Sequence, residues 1–120
     1  MTKIFITDYI ETPDIEQEVF GKEVEIICLN EEQEENFPES ISEADAVLVW
    51  HAKITELTIK RLKKCKAIVR YGVGYDNVEF QCAREYGIPF ANTPAYGVHE
   101  VADTAISLIL TLVRKVSNYN

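Results

Sequence analysis

The sequence predicts an α/β fold built on a doubly wound, five-stranded parallel sheet. Three observations predict it. Five short runs are dense in β-branched and apolar residues, helix-like segments separate successive runs, and the runs read as buried rather than as alternating half-wet strands.

The elements follow in order. Residues 3–7 (KIFIT) form the first strand. Thr12, Pro13 and Asp14 open a helix, Thr as a cap and Pro in the first turn, and Gly21 ends it. Residues 24–29 (VEIICL) are the second strand; the acidic stretch 30–37 is a weakly structured connection or part of a short helix. Residues 46–50 (AVLVW) make the third strand, and Thr55 starts a helix that runs to about Lys64. The fourth strand, 67–71 (AIVRY), ends in Gly72, Val73 and Gly74. A helix over 78–86 closes at Gly87, residues 88–91 are the fifth strand, and Asn92, Thr93 and Pro94 turn the chain into one long helix over 98–116. Right-handed crossovers between parallel strands make the arrangement flavodoxin-like.

The long helix departs from that simple scheme. Its apolar positions, from Val98 and Val101 through Ile109, Leu112 and Val116, cover more of the helical wheel than one stripe. A surface helix needs an apolar arc of only roughly 100°. Either a second chain covers this helix or the natural protein continues beyond residue 120. The second is favoured, with self-association through residues 98–116 expected for the chain alone.

Composition excludes several classes. The chain has 120 residues, 47% hydrophobic and 27% charged, with a net charge of −8. That is enough to bury one core, and so acidic a surface disfavours nucleic acid and anionic membrane. The basic run from Lys60 to Lys66 reads as a solvated helix face. Three cysteines, Cys28, Cys65 and Cys82, include no C-x-x-C pair, which argues against a disulfide scaffold or zinc site and for a reducing compartment. Met1 runs straight into a strand, and no apolar run spans about 18 residues. A cytoplasmic location is the expectation.

Ligands of open parallel sheets bind at the carboxyl ends of the strands. There the best candidate is the turn holding Tyr71, Gly72, Val73 and Gly74, whose glycines let a ligand approach the backbone and whose free N–H groups can hold a carboxylate. The same residues also suit a plain strand-to-helix turn. They are not a dinucleotide fingerprint, because Asn77 stands at the third glycine position of G-x-G-x-x-G. His51 follows the third strand at the same edge, either touching substrate or serving as a partly exposed structural histidine; His99 lies in the first turn of the long helix. Asp8 also sits at that edge. A phospho-acceptor role would need a second Asp where Trp50 and His51 stand, and a phosphate loop would need more Ser, Thr or Gly than Tyr9, Ile10 and Glu11 provide.

From about Lys66 onward the chain resembles the D-2-hydroxyacid dehydrogenases, a family that includes the formate, glycerate and phosphoglycerate dehydrogenases and the C-terminal-binding-protein corepressors. The matching stretches are AIVRYGVGYDNV, AREYGIPFANTPA and EVADTAISLILTLVR, with VLVWHAKIT matching more loosely upstream. The resemblance implies a substrate-binding domain over 1–97 and an interdomain helix over 98–120 leading to an NAD-binding Rossmann domain absent from this chain. It implies reversible hydride transfer between NAD(P) and C2 of a 2-keto or D-2-hydroxy acid. The family's catalytic Arg, Glu and His would all lie beyond residue 120, so the isolated chain is expected to be inactive and to hold no cofactor.

Carried over position by position, the resemblance makes Tyr71, Gly72, Val73 and Gly74 substrate-binding through their amides. It places His51 and Lys53 in the substrate pocket and Val73 and Thr104 near the cofactor, with no metal. The family is commonly dimeric. Gly97 replaces a substrate-binding Asn of many relatives, and Val101, Ala102 and Asp103 replace V-A-E, which leaves the particular 2-hydroxy acid open. Two other readings stand beside this one: a corepressor-type protein-binding module, and a standalone small α/β domain.

Overall fold

A computed structural model of the chain describes residues 1–115 and 118. Five strands, β1 (Thr2–Ile6), β2 (Val24–Cys28), β3 (Ala46–Val49), β4 (Ala67–Arg70) and β5 (Phe90–Ala91), form one sheet in the order β2-β1-β3-β4-β5. Every neighbouring pair is parallel. The connecting helices are α1 (Asp14–Phe20), α2 (Glu56–Ile59) and α3 (Phe80–Glu85), and α4 (Val98–Arg114) follows β5. This is the predicted flavodoxin-like α/β arrangement.

The two faces of the sheet are unequally covered. Alternate strand residues Phe5, Val47, Val49 and Ile68 point into the larger core, where Ile41, Ile54, Ile59, Leu62 and Ile88 close over them. The opposite residues, Ile4, Ile6 and Leu48, make a smaller cluster with only half-buried neighbours such as Val69 and Tyr71. On that side α1 buries none of its own residues, and Ile15 and Val19 lie in solvent.

Several element boundaries differ from the sequence expectation. Thr55 caps α2 as expected, its hydroxyl accepting from the Leu57 N–H at 3.3 Å, but the helix stops at Ile59 instead of Lys64. Beyond it the chain tightens into i→i+3 turns, Arg61 to Thr58 and Leu62 to Ile59, which turn both Leu62 and Cys65 into the core. Helix α3 begins two residues late because Val78 is drawn into a parallel bridge with Ile54. Gly87 follows α3 with φ +77°, the left-handed conformation its position called for.

Of the two expectations for the acidic stretch after β2, a weakly structured connection or part of a short helix, the helical one holds. The stretch forms 3-10 turns over Glu34–Asn36 and Glu39–Glu43, and the Glu34 side chain is buried. Its carboxyl group accepts from the Thr55 N–H at 3.0 Å, the Thr58 hydroxyl at 2.7 Å and the Thr55 hydroxyl, which explains the burial of an acidic side chain.

Helix α4 leaves the sheet with every residue exposed except a half-buried Thr111. It accounts for the elongated shape, 58 × 32 × 24 Å. Val116, the last apolar position of the expected helix, lies outside the described residues. No helix among the described residues is long and apolar enough to cross a membrane.

One buried carboxyl group organises the carboxyl edge. Asp8, just past β1 and 2% exposed, accepts from three successive amides of the turn after β3: Trp50 at 3.3 Å, His51 at 2.8 Å and Ala52 at 3.3 Å. The Thr7 hydroxyl adds a fourth bond at 2.6 Å. Removing the acceptor would leave several N–H groups short of a partner, at about 1–3 kcal/mol for each one truly buried. Asp8→Ala is therefore expected to lower unfolding stability by about 3 kcal/mol in urea titration, against less than about 0.5 kcal/mol for the exposed Glu11→Ala. Similar losses for the two variants would contradict this role for Asp8.

Candidate functional site

The turns after β1, β3, β4 and β5 meet at the carboxyl edge and hold one another. Asn77 donates from Nδ2 to the Trp50 carbonyl at 3.1 Å and to the Ala52 carbonyl at 2.9 Å, pinning the turn after β4 to the turn after β3. Asn92 donates to the Val73 carbonyl at 2.7 Å, which ties in the loop after β5. Asn77 is thus a brace at the place where a dinucleotide fingerprint has glycine.

Within the turn after β4 the four amides divide into two pairs. The Tyr71 N–H donates to the Val49 carbonyl at 2.8 Å, and the Gly72 N–H donates to the Thr93 hydroxyl at 2.6 Å. The Val73 and Gly74 N–H groups meet no protein acceptor among the described residues. They are open donors, as are the N–H groups of Tyr75, Asp76 and Asn77 further along the turn. Gly72 sets their direction from a φ of +135°, a conformation closed in practice to other residues. A Cβ there would also lie 2.0 Å from Arg70 Nη1. The Arg70 side chain is held at that place by Nε donating to the Trp50 carbonyl at 3.0 Å.

Aromatic rings pack beside this turn. Trp50 lies between Tyr9 and Tyr71, with ring centroids 4.7 and 4.5 Å away. Tyr9 takes a left-handed φ of 72°, an uncommon setting for a bulky side chain and the kind of strain that clusters at functional edges. Tyr71 donates its hydroxyl to Glu16 at 2.7 Å. Burial, and then the Glu16 carboxylate, push the Tyr71 phenol well above its usual range, so it remains a neutral donor and not a proton shuttle. Burial likewise raises the thiols of Cys28 and Cys65, and desolvation that of Cys82, leaving none activated as a nucleophile.

The residues singled out from sequence fall into three groups. Tyr71 and Gly72 border a small cavity of about 280 Å³ with Trp50, Thr93 and Tyr96. Val73 faces a groove of about 780 Å³ shared with Pro94, Tyr96 and the first turns of α4, and Thr104 lines a neighbouring hollow of about 400 Å³ on α4. His51 and Lys53 come together, but in a polar cavity of about 190 Å³ with Glu32, Gln33, Glu34 and Glu35, separate from the turn after β4. The groove beside Val73 is lined chiefly by apolar side chains and by the first turn of α4, with Glu100 the one charged residue of its lining.

Sequence reading missed the brace from Asn77, the anchoring role of Asp8 and the aromatic stack. The one available signal was position: all three lie just past strand ends, where the topology gathers side chains. Among the described residues, the buried side-chain atoms Trp50 Nε1 and Asn77 Oδ1 find no hydrogen-bond partner. Both belong to this edge.

Comparison with known proteins agrees with this architecture. Residues 4–114 match the family model described as D-isomer specific 2-hydroxyacid dehydrogenase, catalytic domain. C-terminal-binding protein 1 of Caenorhabditis elegans is 34% identical over 89 residues, 73% of this chain and 12% of that protein. The hydroxypyruvate reductase of Thermotoga maritima is 30% identical over 116 residues, 96% of this chain and 38% of that protein. The D-lactate dehydrogenase of Aquifex aeolicus, solved with NAD and lactic acid, superposes with a TM-score of 0.79 at 24% identity, over 97% of this chain and 35% of that one. The chain therefore spans well under half the length of these relatives. With a family match running through almost every element of the fold, the chain belongs to the D-isomer specific 2-hydroxyacid dehydrogenase family.

Proposed function

We propose that the chain is the substrate-side portion of an NAD(P)-dependent D-2-hydroxyacid dehydrogenase. In this reading the Val73 and Gly74 amides hold the carboxylate of a 2-keto or D-2-hydroxy acid. The observation that carries it is the division of the amides from Tyr71 to Gly74: two committed within the fold, two left open beside Gly72, whose φ only glycine readily takes. Backbone donors fixed in this way bind an anion without reorganising. The two orphaned polar atoms at the same edge agree with a site completed by groups this chain does not supply.

A bound nicotinamide cofactor would supply the hydride. The part of its site offered here is the apolar wall at Val73, with Thr104 further along α4. A proton donor, a carboxylate-binding arginine and a phosphate cradle would have to come from a cofactor-binding unit beyond residue 120, to which α4 would lead. The chain alone would then be inactive, and its apolar helix would pair with a second copy. A cytoplasmic setting accords with its free cysteines. The similarity to the Caenorhabditis C-terminal-binding protein supports a second reading, a protein-binding module of dehydrogenase ancestry. That reading does not require the open amides to bind a carboxylate.

Three outcomes are expected. Saturation-transfer NMR should detect D-lactate on the chain, and Gly72→Ala should weaken that binding at least about tenfold, since an L residue held at this φ costs about 1–3 kcal/mol; undiminished binding would refute the carboxylate site. Calorimetry should find no NAD binding, and a micromolar affinity would overturn the division of labour between the two units. In sedimentation the chain should self-associate, and Leu108→Glu with Leu112→Glu should return it to monomer. A wild-type monomer would remove the role given to α4.

A further inference from the structure

The small cavity beside Gly72 carries more than a place for a carboxylate. Trp50, Tyr71, Gly72, Thr93 and Tyr96 line an open cavity of about 280 Å³. Gly72 belongs both to this cavity and to the turn whose next two amides are open, so a molecule anchored by its carboxylate has the cavity within reach of its next carbons. Two polar groups of the lining are engaged. Tyr71 turns its hydroxyl to Glu16, and the Thr93 hydroxyl accepts the Gly72 N–H. No Lys, Arg, Asp or Glu lines the cavity. Arg70, whose guanidinium reaches the Gly72 position, is not among its walls.

We infer that this cavity takes the substituent on C3 of the substrate and that the substituent is apolar, an aromatic ring above all. The inference rests on the carboxylate reading of the turn. A second carboxylate or a phosphate on the substrate would enter a cavity whose lining holds no charged residue. A hydrogen or a hydroxyl at C3 would leave the aromatic walls unused. A phenyl ring fits: an apolar cavity of about 150 Å³ already accommodates benzene. Trp50 stacks on Tyr71 and packs against Tyr9, which gives the wall its rigidity. The substrate class assigned is a 2-keto or D-2-hydroxy acid with an aromatic or large apolar side chain, in preference to a small, phosphorylated or dicarboxylic one.

The test is a ¹⁵N NMR titration of the chain with D-lactate and with D-3-phenyllactate, reading the Val73 and Gly74 amides and the single indole N–H of Trp50, the chain's one tryptophan. Both acids are expected to shift the two amides. The phenyl acid alone should shift the indole and should bind at least about tenfold tighter, the effect of burying a few apolar carbons. Tyr96→Ala, at an exposed position, should reduce that preference to about twofold or less, as expected when one wall of the apolar cavity is lost. Equal affinities with both amides shifted would overturn the aromatic preference and leave the carboxylate site standing. Failure of either acid to shift Val73 and Gly74 would overturn both.

Discussion

The site depends on how the carboxyl edge satisfies its own backbone. A parallel sheet ends in a row of turns whose amides must find acceptors or remain open to a ligand. Here the buried Asp8 carboxyl group takes three amides of one turn, and the Thr93 hydroxyl takes one from another. Asn77 then bolts the two turns together through the carbonyls of Trp50 and Ala52. Of the four amides from Tyr71 to Gly74, those of Val73 and Gly74 remain open among the described residues. The rigidity of this edge comes from the side chains of Asp8, Asn77 and Thr93, which hold its backbone in place.

The same chain keeps a large apolar surface out of its own core. Burying Val101, Ile106, Leu108, Ile109, Leu112 and Val113 would stabilise an assembly by on the order of 10 kcal/mol, comparable with the whole stability of a small domain. All six are more than half exposed. The short helix α1 leaves the adjacent sheet face thinly covered as well. Both faces are apolar surface that the described residues leave uncovered.

The fold was legible because its signals were local and repeated. Five apolar runs each became a strand in the expected order, Gly87 took the left-handed turn its position demanded, and Thr55 capped its helix. The misjudged segments were those decided by distant partners. Glu34 looks like solvated charge until Thr55 and Thr58, more than twenty residues on, bring it donors. Val78 reads as the start of a helix, but Ile54 claims it for a bridge. The glycine turn was visible as a motif, whereas the division of its amides was not, because Val49 and Thr93 decide it from neighbouring elements. His51 and Lys53 were placed at the correct edge, yet the folded acidic stretch draws them into a separate cavity.

Amide hydrogen exchange measured residue by residue tests the central claim most directly. In the free chain Tyr71 and Gly72 should exchange slowly while Val73 and Gly74 exchange fast, and a saturating 2-hydroxy acid should slow only the second pair. Four amides exchanging alike, or an acid that protects none of them, would contradict the account.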